Sequence, residues 1–431
     1  MTLKKLNVLD TGFWVLLFLL PILPQYIYVV SGVNVVNFAA AAFVALFLLL
    51  GKIRFVQMPK SMWFFWIFVL AQSVFALSDA GFLRMVTYLL TCVAVPYILI
   101  LFLNTRERFY RALDVLIGAG AVIGIFGILE SLTKTNLFQQ FANGAYTDFF
   151  FEIRYGLLRI MTTFGQPIGY GIYQCFIATF VLYRLSCENT LGTKRLLKVA
   201  YVIAVLNVFL TVSRIPILML VLIHLLFLLK QSKKKMIFWT AVLLLVLVLL
   251  VLVGTLLEVE IPLIDDLITT LQSVIGGTST DDSTAGIGNR LELFNWVAQS
   301  MHGSWILGRG FEAPFAYEVN DWQVKTSIEN GYLSTLYHTG IVGLVTMLLS
   351  YFGIWYFNRR EGKQPERLEG EGHFSFAAVL SILFLTYYVG ALGTQETDMT
   401  RMFVITVALG VVYSRVRNLQ KTQQTEENTL S

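Results

Sequence analysis

Long apolar runs alternate with short polar connectors along this chain. Twelve runs have spanning character: residues 13–30, 33–50, 62–77, 82–103, 113–130, 166–185, 196–212, 215–229, 236–257, 333–357, 374–393 and 400–416. A helix rises about 1.5 Å per residue, so about 20 residues cross the hydrocarbon core of a bilayer. The pattern predicts an all-α integral membrane protein with about twelve transmembrane helices. The first run, Phe13 to Val30, is too long for a signal-peptide core and has no small-x-small cleavage site, so it is expected to remain as a span.

Two connectors are larger than the rest, residues 131–165 and 258–332. In the second, Pro262 is expected to open an amphipathic helix, because Leu263, Ile264, Leu267, Ile268, Leu271 and Val274 recur at helical spacing. The stretch GGTSTDDSTAGIG is expected to be flexible. Asn289, with Glu292 three positions on, then reads as the cap of a second helix whose apolar face is Leu291, Phe294, Ala298 and Met301. Both helices are expected to lie on the membrane surface. The predicted organisation is nine spans over 1–257, a large loop over 258–332, three spans over 333–417, and a polar, disordered tail over 418–431. Residues 199–229 could form one tilted helix with Arg214 in mid-membrane, at a cost of about 2.5–3.5 kcal/mol. Pro216 favours two short helices meeting just before it.

Composition agrees. Of 431 residues, 56% are hydrophobic and 14% charged, against about a quarter charged in soluble domains. Most of the 32 basic residues sit in alternate short connectors. The positive-inside rule then puts both termini in the cytoplasm and the two large connectors outside, as in a multi-pass membrane protein. Because most lysines and arginines cluster in short connectors, the net charge of +5 says little about nucleic acid, and no nucleic-acid partner is expected. Cys92, Cys175 and Cys187 form no Cys-x-x-Cys pair, so neither a disulfide framework nor a thiolate metal site is indicated.

The basic residues that break the pattern are Arg84, Lys134, Arg154, Arg159, Arg214, Arg290, Arg309, Lys325 and Arg401. Among them, any one of Arg84, Arg159, Arg214 and Arg290 could snorkel at the interface or pair with an outer carboxylate. Alternatively several converge on an anionic ligand, since guanidinium stays charged and grips phosphate bidentately. At an outer leaflet that ligand would be a lipid diphosphate. Glu329 stands where the large loop re-enters the membrane. It is either an exposed carboxylate favoured by a helix N-terminus or a general base toward a hydroxyl. His338, further into the same span, is more readily a packing residue than a catalyst. The Asp265-Asp266 and Asp281-Asp282 pairs have no evident partner set, so neither metal nor cofactor is expected.

Four segments, in order, resemble the superfamily of O-antigen ligases (WaaL-like) and O-antigen polymerases (Wzy-like). MTTFGQPIGYGIY, residues 161–173, resembles its entry to a span. Thr211-Val212-Ser213-Arg214 resembles its Ser-Arg at a helix break. Arg290 to Trp296, followed by Ile306-Leu307-Gly308-Arg309-Gly310-Phe311, resembles its Arg…Trp…Leu-Gly-x-Gly segment. Glu329-Asn330-Gly331-Tyr332-Leu333, with Gly340, Gly343 and Leu344, resembles its His-Asn-x-x-Leu…Gly-x-x-Gly-Leu signature, with Glu329 where the ligases carry histidine.

The resemblance implies a GT-C type glycosyltransferase architecture with an extracytoplasmic site and a large extracytoplasmic loop bearing surface helices. It implies a donor glycan on undecaprenyl diphosphate and, on the polymerase branch, a sugar hydroxyl of another lipid-linked repeat as acceptor. Glu329 would be the base, with His338 the alternative, and Arg214 and Arg290 would meet the diphosphate. Arg159, Arg84, Arg309, Asn330 and Tyr332 would line the substrates. Membrane lipids, a chain-length regulator and a flippase of the same pathway are the implied partners. A ligase transferring finished glycan to lipid A core, protein or wall polymer is the neighbouring reading. A secondary transporter or glycan flippase is the reading from another class, and should show inverted repeats and broken helices near the midplane.

Overall fold

The computed structural model describes residues 3–24, 26–30, 33–49, 58–59, 62–79, 81–143, 153–154, 157–229, 285–311, 313–320, 323–372, 374–394 and 400–430. Helices dominate: α1 Leu3–Leu19, α2 Val35–Leu49, α3 Trp63–Asp79, α4 Gly81–Phe102, α5 Arg106–Thr133, α6 Pro167–Cys187, α7 Leu191–Leu210 and α8 Arg214–Leu229. They continue with α9 Ala285–Ser300, α10 Gly331–Glu361, α11 Phe376–Gly390 and α12 Thr400–Leu430. Among the described residues there are also three two-stranded antiparallel pairs: β1 Tyr28–Val30 with β2 Val33–Asn34, β3 Ile153–Arg154 with β4 Leu157–Leu158, and β5 Tyr317–Asn320 with β6 Gln323–Lys325.

Among the described residues, six helices are long and apolar enough to cross a membrane: α4, α5, α6, α10, α12 and a segment Phe376–Gly393 that extends α11. Shorter apolar helices are Leu9–Leu19, Val35–Leu49, Trp63–Ser78 and Arg214–Leu229. Large apolar side chains face outward along them, as with Leu70 and Val74 on α3 and Ile341, Val345, Leu348 and Phe352 on α10. A water-soluble helix turns polar residues to solvent, so this outward apolar surface matches hydrocarbon. The molecule is a multi-pass helical membrane protein.

Its centre is α6, where Tyr170, Ile172, Tyr173, Cys175, Phe176, Ile177 and Phe180 are fully buried. Small residues and polar groups join α6 to its neighbours. Tyr170 Oη donates to Asn207 Oδ1 at 2.7 Å, Gln174 Nε2 donates to Tyr170 Oη at 3.0 Å, and Asn207 Nδ2 donates to the Gly124 carbonyl at 3.0 Å. Apolar lipid gives helices no hydrophobic reason to associate, and such close, hydrogen-bonded contacts supply one.

The helix ends sort into two sets. At the connector end, Arg184 pairs with Asp114 at 2.7 Å and Arg417 with Glu361 at 2.7 Å. There Glu371 accepts from Tyr183 Oη at 2.8 Å, Tyr413 Oη at 3.1 Å, and the backbone N–H groups of Phe376 and Leu368. Its burial raises its pKa above the ordinary carboxylate value. At the loop end lie the three strand pairs, the starts of α4, α6, α8, α10 and α12, and the segment 301–330.

Five sequence expectations change. The run 13–30 is not one span: α1 ends at Leu19, Pro21 and Pro24 follow, and Tyr28–Val30 is a strand. Helix α9 begins at Ala285, so Asn289 is inside it rather than capping it. The buried face of α9 is Leu293, Val297 and Met301, while Phe294 is 52% exposed. The tail beyond Asn418, expected to be disordered, continues α12 to Leu430, with Lys421 paired to Glu366 at 2.5 Å. The stretch expected to be flexible contributes residues 285–288 to α9. The run 236–257, the helix after Pro262 and the rest of the Gly/Ser/Asp stretch lie outside the described residues.

Candidate functional site at the loop end

Three backbone breaks build the loop end. The first separates α7 from α8. Val212 adopts φ 47° and Pro216 lies in the first turn of α8, so the chain reverses and Arg214 opens α8 instead of sitting mid-span. Arg159 follows β4 and crosses to this turn, donating from Nη2 to Ser213 Oγ at 2.8 Å and from Nε to the Thr211 carbonyl at 3.3 Å. The two arginines therefore belong to one substructure, at the turn where the family motif reads Ser-Arg.

The second break lies inside α10. Gly340 has φ 67° and ψ −165°, a conformation open only to glycine, and it exposes backbone groups that a continuous helix would use internally. The segment 304–311 fills the gap. Arg309 N–H donates to the Tyr337 carbonyl at 2.7 Å, Gly310 N–H to the His338 carbonyl at 2.9 Å, and Ile341 N–H to the Trp305 carbonyl at 2.8 Å. The Leu-Gly-x-Gly motif and the later glycine motif are thus two halves of one main-chain joint. His338 is part of it: Nδ1 lies 2.8 Å from the Gly310 carbonyl, which can only accept, so Nδ1 carries the hydrogen. The Phe311 ring stacks on the imidazole at 5.9 Å and 15°, and the Arg84 guanidinium lies 4.8 Å from the Phe311 centroid.

The third is the entry to α10. Asn330 caps the helix, Oδ1 accepting from the N–H groups of Tyr332 and Leu333 at 3.0 and 3.1 Å, while its Nδ2 donates to the Leu392 carbonyl at 3.1 Å. Tyr332 Oη donates to the Tyr388 carbonyl at 2.7 Å. Both therefore fasten α10 to α11. Glu329, half-buried, immediately precedes the cap. It stands over a small core of Leu293, Val297, Met301, Phe315, Tyr317, Ile328 and Tyr337, in which Trp296 stacks on Tyr317 at 4.0 Å. Burial first, and the Glu329 charge second, push the Tyr317 phenol up to about 12.

The end of α11 connects the first and third breaks. Gly390 packs against Met219 and Ile215 of α8, and Leu392 just beyond holds Asn330. Arg290 lies on α9, in the second turn. Arg309 is exposed, with its backbone in the glycine joint.

A cavity of ≈ 410 Å³ opens beside this assembly. Its lining includes Asn34, Asn37, Gln72, Arg84, Thr87, Thr91, Phe311, Tyr387 and Arg401. Arg84 was expected at a substrate. Arg401 was not among the candidates; its only sequence signal is an arginine at the outer start of a span. None of Glu329, Arg214 and Arg159 lines the cavity.

The fold and this end of it define a polytopic membrane protein with a glycine-jointed loop, Arg159 joined to the turn before Arg214, and Arg84 and Arg401 in one cavity wall. Residues 199–348 match the family model described as O-antigen ligase, and the match takes in three of the four segments that carry the superfamily resemblance. No curated protein matches the chain. The matched segment holds Arg214, Arg290, Arg309, Glu329, Asn330, Tyr332 and His338, while Arg84, Arg159 and Arg401 lie outside it. The family supports a protein of polysaccharide assembly that acts as a glycosyltransferase-like enzyme.

Proposed function

We propose that the protein polymerises surface-polysaccharide repeat units (O-antigen, capsule or exopolysaccharide) at the outer face of a bacterial cytoplasmic membrane, in a GT-C architecture of about twelve spans. The donor is a glycan on undecaprenyl diphosphate and the acceptor a sugar hydroxyl of a second lipid-linked repeat. Glu329 takes the hydroxyl proton as the oxygen attacks the anomeric carbon. The new O–C bond forms as the C–O bond to the diphosphate breaks, inverting the centre, and the electron pair leaves on the diphosphate. Arg214 and Arg290 offset the charge that develops there. Arg159 holds the 211–214 turn and so fixes where Arg214 begins α8.

The observation that carries this reading is the O-antigen ligase match over one segment containing Arg214, Arg290 and Glu329. Supporting it, the start of α8 and the cap of α10 both pack on the end of α11. That match also favours a second reading, a ligase that delivers finished glycan to lipid A core, protein or a wall polymer.

Reconstitution separates the two. Full-length protein in liposomes is given its organism's undecaprenyl-diphosphate repeat unit, and products are resolved on a gel. A ladder of lengthening lipid-linked glycans is expected. A single transfer, seen only after lipid A core or a protein acceptor is added, would make it a ligase. Glycan crossing the bilayer with no transfer would overturn both.

A further inference from the structure

Glu130 lies in the last turn of α5 and is 2% exposed, yet the chemistry above does not use it. One turn earlier, Gly127 lets α5 come close to its neighbours: a Cβ there would fall 2.2 Å from Asn207 Oδ1 and 3.2 Å from Ile160 Cδ1. The carboxylate is thereby delivered into the segment that leads to α6. Its Oε2 accepts from the Thr162 N–H at 2.8 Å, and its Oε1 accepts from the Met161 N–H at 3.2 Å and from Asn136 Nδ2 at 3.4 Å. Burying a carboxylate is costly unless donors replace its water. Two successive backbone N–H groups turned on one anion are such a replacement.

The chain bends to make those bonds. Thr162 adopts φ 48°, a left-handed conformation that a β-branched residue rarely takes. Its carbonyl accepts from Asn136 Nδ2 at 2.8 Å and from Tyr26 Oη at 3.0 Å, so the strained residue is gripped on both sides of its peptide plane. Asn136 is itself fixed, because its Oδ1 accepts from the Phe138 N–H at 2.8 Å. From Thr162 the segment runs back directly to the turn between α7 and α8. The Ile160 N–H donates to the Leu210 carbonyl at 3.4 Å, and Arg159 donates to the Thr211 carbonyl and to Ser213 Oγ. Residues 159–162 are therefore a strut, fastened at one end to α5 and at the other to the turn from which Arg214 opens α8. Four residues leave little slack between the two fastenings.

We infer that Glu130 is a positioning residue for glycosyl transfer: through the 159–162 strut it sets where Arg159 meets the 211–214 turn, and so where Arg214 stands. The inference rests on the reading that Arg214 meets the donor diphosphate. Glu130 touches no substrate in this role. It acts at a distance because each link, from carboxylate to backbone N–H, along the strut, and from guanidinium to turn, is a directed hydrogen bond. A displacement of about 1 Å at a group that stabilises developing charge is enough to slow a reaction about 10²-fold. Glu130 also lies outside residues 199–348, so the family match assigns it nothing.

The test reads both ends of the strut in the full-length protein. Glu130→Gln keeps the shape of the side chain but sets an N–H donor where an oxygen accepted, so it loses at least one of the three bonds. Hydrogen exchange in detergent should then quicken in peptides covering 159–162 and also in those covering 211–214. In the liposome assay the rate per folded chain should fall about 10–10²-fold, in kcat rather than KM. Because the effect passes through Arg159, adding Glu130→Gln to Arg159→Gln should cost less than about twofold more. Asn136→Ala takes one donor from the carboxylate and leaves Glu130 in place; it should move both readouts the same way, and it covers a failure of Glu130→Gln to fold. Faster exchange confined to 159–162 would overturn the inference. So would an unchanged rate in Glu130→Gln, or an equal further loss in the Arg159→Gln background, and each of these leaves the proposed function standing where the unmodified chain builds the ladder. No product from the unmodified chain would remove both.

Discussion

Gly308 and Gly340 meet backbone to backbone: a Cβ on Gly308 would come within 2.5 Å of the Gly340 amide nitrogen and of the His338 carbonyl carbon. Both residues have positive φ, 75° and 67°. The contact locks the Leu-Gly-x-Gly loop into the break of α10, and everything between them, including α10's cap and Glu329, depends on it for position.

Alanine at either glycine should therefore be costly twice over. Left-handed strain alone costs about 1–3 kcal/mol, and here the added methyl also strikes backbone, which cannot rotate away. Gly303→Ala is the control: Gly303 has φ 86° but nothing within 4 Å of its Cβ position, so it carries strain without collision. Thermal unfolding in detergent should show the midpoint falling further for Gly308→Ala and Gly340→Ala than for Gly303→Ala. Equal shifts would mean that the joint relaxes around a methyl.

That joint also marks the limit of what the chain reveals before folding. Six long spans are legible because hydrophobic length is local, whereas the run 13–30 misleads because hydropathy does not mark the end of α1 at Leu19; the α7–α8 break is legible because Arg214 and Pro216 sit together. Leu307-Gly308 and Gly340 each read as family motifs, but nothing local says that they touch. The same holds for Arg84 and Arg401, which begin two different spans and share a cavity only through tertiary packing. The α9 face is missed for another reason. Leu291, Phe294, Ala298 and Met301 fit a helical stripe as well as Leu293, Val297 and Met301 do, because this helix is apolar on more than one side. Glu329 is found as a residue, yet its neighbour Tyr317 lies on a strand pair that the pattern does not announce.

Asn330 gives a cleaner test of the α10 entry. Its Oδ1 serves two backbone N–H groups, so Asn330→Ala should cost about 0.5–2 kcal/mol. Asn330→Ser keeps a capping oxygen but loses the donor to Leu392. Unfolding measurements should rank them native, Ser, Ala. If Ala equals Ser, the link to Leu392 matters and the cap does not.

At the connector end, Glu371 supplies a pH dependence with a definite sign. Its folded pKa is raised by burial above the usual carboxylate value. It contributes stability that is fully present below the unfolded pKa, about 4.3, and is lost as pH rises through the folded value. The Glu371→Gln variant cannot ionise. Midpoints measured from pH 4.5 to 8 should fall more steeply for the native protein than for Glu371→Gln; parallel curves would show that this carboxylate does not titrate against folding.

The chemistry is tested by separating the base from the joint. If Glu329 accepts the acceptor's proton, Glu329→Gln removes the base while keeping the shape, and polymer formation should stop with the unfolding midpoint nearly unchanged. Arg214→Ala and Arg290→Ala should each slow transfer by about 10²–10³, the usual cost of losing one group that stabilises developing negative charge. His338 answers differently. Its Nδ1–H holds the Gly310 carbonyl and its ring stacks on Phe311, so His338→Ala should lower the unfolding midpoint and leave turnover per folded molecule within a few-fold. Rates per folded chain, measured in the reconstituted assay, distinguish the two. Full loss in His338→Ala with Glu329→Gln active would transfer the role of base from Glu329 to His338.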